Sequence, residues 1–299
     1  MHTNQTAPVA ELRGARKRYG RQTALDGIDL ALRAGELTAL LGPNGAGKTT
    51  AVGLLLGLLQ ADAGVATLFG QSPRALSARR RSGVMLQAAG IPDASKVGEL
   101  LELTRSYYAD PLGMAECASM AGLEGLLDRR YGRLSGGQQR RVQFGLAICG
   151  RPRVLFLDEP TTGLDIESRQ GLWRAIRTLI EQDCAVLLTT HYLEEAEALA
   201  DRVVVLNQGR VVAAGSVGEI RAHVAQRRIR CISNLSPEHV AAWPEVRHAR
   251  LEGGRLQIVV DSAESVVRRL LAEDAQLGEL EVERAGLAEA FVQLTREAA

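Results

Sequence analysis

Apolar positions recur along the chain with two periods, and the places where the period changes mark its elements. Residues 9–18 and 25–32 alternate apolar and polar side chains and are broken at Gly20 and Gly27, which predicts short strands. Leu37-Thr38-Ala39-Leu40-Leu41 is short and nearly continuous, the pattern of a strand buried on both faces. A helix is expected over 49–59, and strands over 64–70 and 83–86. Residues 98–108, 114–121 and 137–149 carry apolar side chains at helical spacing. Strands and helices then alternate: strand 153–157, helix 167–182, strand 185–189, helix 193–200, strand 203–206. Asn207-Gln208-Gly209-Arg210 is a hairpin turn into 211–213. Such alternation predicts a mostly parallel sheet covered by helices.

After about residue 225 the order changes. Strand 228–233, helix 237–243, strands 247–251 and 256–260 joined by Glu252-Gly253-Gly254-Arg255, helix 263–273 and strand 280–284 follow, closed by a helix over 287–296. The order β-α-β-β-α-β resembles a ferredoxin-like unit. The expected organisation is α/β: a first domain over 1–225, with a helical subdomain at about 88–150, and a small accessory α+β domain over 226–299.

Composition narrows the setting. The chain has 299 residues, 46% hydrophobic and 24% charged, ordinary values for a soluble globular protein with a sizeable core. Its apolar runs fall well short of the roughly 20 residues needed to span a bilayer. Residues 1–9 are polar and lack the apolar core of a signal peptide, so none is expected. A net charge of +1 gives no global attraction to nucleic acid or anionic lipid. Cys117, Cys149, Cys184 and Cys231 are widely spaced and read as reduced, buried thiols rather than a disulfide or zinc framework.

The chemistry concentrates in one loop. Gly42-Pro43-Asn44-Gly45-Ala46-Gly47-Lys48-Thr49-Thr50 fits G-x-x-x-x-G-K-[ST] and lies between a predicted strand and a predicted helix. Its glycines let successive N–H groups converge on one anion, and the helix N-terminus adds partial positive charge. Lys48 would reach the β- and γ-phosphates of a nucleoside triphosphate, and the Thr49 hydroxyl would ligate Mg²⁺. Downstream, Val154-Leu155-Phe156-Leu157-Asp158-Glu159 is an apolar strand ending in two carboxylates. Asp158 is placed to hold Mg²⁺, and Glu159 to orient or deprotonate a water. Between them, Leu134-Ser135-Gly136-Gly137-Gln138 opens a helix with a second anion-binding turn.

These three elements resemble the ATP-binding cassette (ABC) family, whose signature L-S-G-G-Q is matched letter for letter over residues 134–138. The resemblance covers about residues 9–225 and implies the P-loop ABC ATPase fold, with a mixed sheet and a helical subdomain. It assigns Gln87 as the Q-loop glutamine that contacts Mg²⁺, Thr162-Gly163-Leu164-Asp165 as the D-loop, His191 as the switch histidine, and Tyr19 as the aromatic that stacks on adenine. Glu159, His191, Lys48 and Gln87 are thus the expected catalytic residues. Tyr19, residues 42–50, Ser135, Gly136, Gly137, Gln138 and Asp165 are expected to bind ATP, with Thr49, Gln87 and Asp158 on Mg²⁺. Ile166 departs from the proline common in relatives.

The resemblance further implies a nucleotide-dependent homodimer, each ATP held between the phosphate loop of one subunit and the signature turn of the other. It also implies separately encoded membrane permeases as partners, with the chain peripheral at the cytoplasmic face. Gly286-Leu287-Ala288-Glu289-Ala290-Phe291-Val292-Gln293-Leu294-Thr295 resembles the closing helix of ATPases from ABC-2 type exporters, including drug-resistance and daunorubicin-type exporters. His191-Tyr192-Leu193-Glu194-Glu195-Ala196-Glu197 also resembles that group. An ABC ATPase acting on ribosomes or DNA fits less well, because there is one cassette, no heptad run and little net charge. An importer ATPase and an ATP-dependent regulatory module are the remaining alternatives.

Overall fold

The computed structural model describes residues 7–87, 90–222, 227–284 and 286–297, which fall into two compact units, 7–216 and 217–297. The expected boundary at 225/226, the start of the helical subdomain at 88 and 89, and residues 1–6 of the N-terminal stretch lie outside the described residues.

The first unit opens with strands β1 (Ala10–Tyr19) and β2 (Gln22–Leu32), then β3 (Leu37–Leu41), helix α1 (Lys48–Leu55) and β4 (Ala63–Leu68). A short helix α2 (Leu76–Arg79) precedes β5 (Ser82–Met85). The helical region comprises α3 (Val97–Arg105), α4 (Met114–Met120), a 3₁₀ turn at Tyr131–Arg133 and α5 (Gly136–Ile148). Strands and helices then alternate as β6 (Val154–Asp158), α6 (Ile166–Glu181), β7 (Ala185–Thr189), α7 (Leu193–Leu199), β8 (Arg202–Asn207) and β9 (Arg210–Gly215).

Two sheets result. One has the order β5-β6-β7-β3-β8-β9 and is parallel except for β9, which returns antiparallel to β8 through the predicted hairpin. The other is the antiparallel sheet β2-β1-β4. Every residue of β3 is buried, as its unbroken apolar run requires for a central parallel strand. Between the sheets, Leu12, Leu25 and Leu32 join Val52, Leu54 and Leu55 of α1 with Leu40, Phe156, Leu187 and Leu206 in one core. Each such buried side chain contributes about 1.5–3 kcal/mol relative to exposure. This core fixes α1 behind the loop that precedes it. On α6, Leu172, Ala175, Ile176 and Leu179 are buried, the i, i+3, i+4, i+7 stripe of a surface helix. No helix among the described residues is long and apolar enough to cross a membrane.

The second unit begins with α8 (Val217–Ala222), which packs on the closing helix α11 (Leu287–Glu297). Between them run β10 (Arg227–Ile232), α9 (Pro237–Ala241), β11 (Val246–Glu252), β12 (Arg255–Val260), α10 (Ala263–Glu273) and β13 (Gly278–Arg284). The sheet order β11-β12-β10-β13 with antiparallel neighbours is that of a ferredoxin-like unit. Ile229, Cys231, Leu256, Ile258 and Val260 pack its covered face against Val240, Val266 and Leu270. All four cysteines are free and buried, and burial pushes the thiols of Cys149 and Cys184 up to about 12.

Candidate functional site

The loop between β3 and α1 curls because two of its glycines stand where no side chain fits. Gly47 has φ +107°, and a Cβ there would meet the Ala24 carbonyl oxygen at 2.5 Å. A Cβ on Gly42 would meet the Leu206 carbonyl oxygen at 2.4 Å. The loop is therefore pressed against β2 and β8, and the Ala46 N–H closes it by bonding to the Pro43 carbonyl at 3.1 Å. Lys48, the first residue of α1, folds back over it: Nζ donates to the carbonyls of Gly42 at 2.7 Å and Pro43 at 3.1 Å. Burial lowers the lysine's pKa, and the negative charges of Glu159 and Asp158 oppose that effect.

Parallel pairing brings the carboxylates to this loop. β6 and β7 run in register with Asp158 opposite Thr189, and the Thr189 hydroxyl donates to Asp158 Oδ1. Glu159 follows in the left-handed region at φ +50°, its N–H bonded to the Thr189 carbonyl at 2.9 Å. A non-glycine residue held there costs about 1–3 kcal/mol, strain that concentrates at functional sites. Three side chains converge on the Glu159 carboxylate. His191 Nδ1 lies 3.1 Å from Oε1, Gln87 Nε2 donates to Oε2 at 3.4 Å, and the Thr162 hydroxyl reaches Oε2 at 3.5 Å.

Together they line a cleft of about 750 Å³ formed by Tyr19, Gln22, Ala24, Asn44, Gly45, Gly47, Lys48, Thr49, Thr50, Gln87, Asp158, Glu159 and His191. Most of the residues expected on the phosphates and the metal are thus in one place. Gly42, Pro43 and Ala46 of the same loop do not line the cleft, Ala46 being buried. Tyr19 stands at the rim, about half exposed, with the Lys17 ammonium 5.7 Å from its ring centre. The hard oxygen donors Thr49 and Asp158 suit Mg²⁺, which takes only one or two carboxylates beside substrate phosphates. Among the described residues no cluster of three or more His, Cys, Asp or Glu could hold a metal unaided.

The signature turn lies outside this cleft. Ser135 is the N-cap of α5: its hydroxyl accepts from Gln138 N at 3.3 Å, and its own N–H donates to Gln138 Oε1 at 3.1 Å, a reciprocal capping box. Gly136 faces open space, and Gly137 lies beside the D-loop, where a Cβ would meet the Gly163 carbonyl at 3.3 Å. Asp165 caps α6 by accepting from Ser168 N at 2.7 Å, which lowers its pKa. Ser135, Gly136, Gly137, Gln138 and Asp165 therefore form a second surface, continuous with itself and separate from the phosphate loop of the same chain.

A glycine-rich loop between a parallel strand and a helix, with Asp158, Glu159 and His191 beside it, is the arrangement of a P-loop ATPase, and comparison with known proteins narrows the class. The family model described as "ABC transporter" matches residues 25–162. The Nod factor export ATP-binding protein I of Burkholderia orbicola (strain AU 1054) is 37% identical over 277 residues, 88% of this chain and 90% of that one. The daunorubicin/doxorubicin resistance ATP-binding protein DrrA of Streptomyces peucetius is 37% identical over 278 residues, 85% and 84% respectively. A solved ATP-binding subunit of an ABC transporter superposes with TM-score 0.67 at 27% identity, covering 72% of this chain and 92% of that one. The chain belongs to the family of ABC transporter ATP-binding proteins, whose cassette hydrolyses ATP.

Some site residues carry no motif. Gln22 and Ala24 line the cleft beside Tyr19, and only their place just past that residue in a hairpin could have marked them. Thr189, which bonds to Asp158, and the burial of Glu195 were likewise silent. Threonine at a strand end is common, and an acid on a short helix looks solvated until its surroundings are known.

Proposed function

We propose that the protein is the ATP-hydrolysing subunit of an ABC-2 type exporter and works as a nucleotide-dependent homodimer. The observation that carries this reading is the separation of two half-sites on one chain: the cleft gathers Lys48, Thr49, Gln87, Asp158, Glu159 and His191, while Ser135 and Gly137 face elsewhere. Two copies related by a two-fold axis would each lend the signature turn to the other's cleft.

Within that arrangement Lys48 and the loop N–H groups hold the β- and γ-phosphates, whose charge relieves the buried ammonium. Thr49, Asp158 and Gln87 would hold Mg²⁺, which when bound neutralises phosphate charge. Glu159 orients the attacking water and takes its proton. His191, engaged by Glu159 through Nδ1, presents Nε2 to a γ-phosphate oxygen, a contact that requires a proton on that nitrogen. Tyr19 stacks on adenine. Hydrolysis removes the γ-phosphate that bridges the two copies, so ATP favours the closed dimer and its products the open one.

The names of the relatives, with Nod factor export and drug resistance among them, support an exporter. A separately encoded permease would dock on the segments 72–87 and 98–121, where Leu76, Leu103 and Tyr107 are each more than half exposed. Docking would hold the chain peripherally at the cytoplasmic face of the membrane. In the triple Arg79-Arg80-Arg81, Arg81 stacks its guanidinium 3.8 Å from the Phe69 ring centre, a packing role. Steady-state turnover tests the site: Lys48→Ala abolishes ATP hydrolysis, and near-normal turnover would overturn the assignment.

A further inference from the structure

Behind the cleft lies a carboxylate that the catalytic reading leaves unused. Glu195, on α7, is 1% exposed, and with Asp274 it is one of two buried carboxylates among the described residues. Burying a carboxylate is costly unless it is well hydrogen-bonded, and here the donors come from three different segments. The Thr161 hydroxyl reaches Oε2 at 3.3 Å, Trp173 Nε1 reaches Oε1 at 3.2 Å, and the Thr190 hydroxyl is also bonded to it. Burial still raises its pKa, with Arg169 acting in the opposite direction. The Arg169 guanidinium lies 5.3 Å from the Tyr192 ring centre, so the same small region holds the compensating charge.

The identity of those segments gives the cluster its meaning. Thr161 stands two residues after Glu159 and directly precedes Thr162, which touches the Glu159 carboxylate and begins the D-loop. Thr190 directly precedes His191, and its hydroxyl accepts from Tyr192 N at 3.0 Å, which sets the turn carrying the imidazole. Trp173 sits on α6, the helix that Asp165 caps at the end of the D-loop. Thr161 and Thr190 are both buried. One side chain thus ties the exit of β6, the exit of β7 and the helix after the D-loop together.

We propose that Glu195 is a positioning residue that couples the D-loop to the switch histidine, so that contact with the second subunit and contact with the γ-phosphate move as one unit. The proposal rests on the assignment of His191 and the D-loop given above. Its demand is geometric: Trp173 N–H needs an acceptor, while the threonine hydroxyls can either donate or accept. A glutamine can meet all three, with its oxygen on Trp173 and its amide on the threonines; alanine meets none.

The test compares Glu195→Ala, Glu195→Gln and Thr161→Val with wild-type protein in steady-state ATP turnover, with His191→Ala alongside. Thr161→Val keeps the shape of the side chain and deletes one donor, so the test survives if Glu195→Ala does not fold. The expected result is a kcat lowered about tenfold or more in Glu195→Ala and severalfold in Thr161→Val, since each 1.4 kcal/mol of lost positioning is a factor of ten. KM for ATP stays within about threefold, because the phosphate loop is untouched, and Glu195→Gln recovers most of kcat. The proposal is overturned if His191→Ala abolishes turnover while Glu195→Ala and Thr161→Val leave kcat unchanged. It is equally overturned if kcat falls only together with ATP affinity and melting temperature, the mark of a general structural role. If His191→Ala itself turns over normally, the assignment beneath the proposal fails instead, and the coupling has nothing to act on.

Discussion

His191 Nδ1 stands 3.1 Å from Glu159 Oε1, and the two residues leave neighbouring parallel strands, β7 and β6. The pair joins the group read as the base to the group read as the phosphate sensor. Its geometry depends on strand register: Asp158 faces Thr189, so the residues that follow emerge side by side. The left-handed turn at Glu159 then swings its carboxylate toward the imidazole.

Glu159→Gln keeps a side chain of the same shape beside Gln87 and Thr162 but removes the base and its charge. Turnover is expected to fall about 10²- to 10⁴-fold, the range for losing a general base, with ATP affinity retained. Size-exclusion chromatography with ATP should show the variant as a dimer; a variant that stays monomeric contradicts the sandwich arrangement.

Gly47→Ala meets two obstacles at once, a positive φ and the Ala24 carbonyl at 2.5 Å. The loop cannot keep its curl, so nucleotide affinity measured by calorimetry should drop at least about tenfold, together with a lower melting temperature. Unchanged affinity would mean that the curl is not what binds the phosphates.

Phe156→Ala opens the core beneath the sheet, where the ring is 1% exposed and packs in the cluster that supports α1. Denaturant unfolding should show a loss of about 3–5 kcal/mol. A loss below about 1 kcal/mol would show that this core does not bear the load assigned to it.

Much of this site could be read in the chain because its chemistry is local. The phosphate loop, the signature turn and the Asp158-Glu159 pair are runs of adjacent residues, and β3 and β7 have the bounds their apolar runs predicted. The second unit was legible as an order of elements, since a β-α-β-β-α-β chain has few compact arrangements. What stayed hidden depends on contacts between distant residues. Nothing along the chain says that β1 pairs with both β2 and β4, or that β3 lies between β7 and β8. The helix α2 is only four residues long, too short to show a period. Glu195 looks like any acid on an amphipathic helix, and only the fold brings Thr161, Trp173 and Thr190 onto it.

The central claim is that each ATP site is shared between two copies, and mixing two inactive variants tests it most directly. Lys48→Ala spoils the cleft and leaves the signature turn intact; Ser135→Arg does the reverse. Each alone should be inactive. Mixed in equal amounts, they should recover about a quarter of the wild-type turnover per subunit, because half of randomly paired dimers are mixed and each mixed dimer holds one intact site. If the mixture stays as inactive as its components, the cleft and the signature turn do not meet across two subunits, and the account of a shared site is wrong.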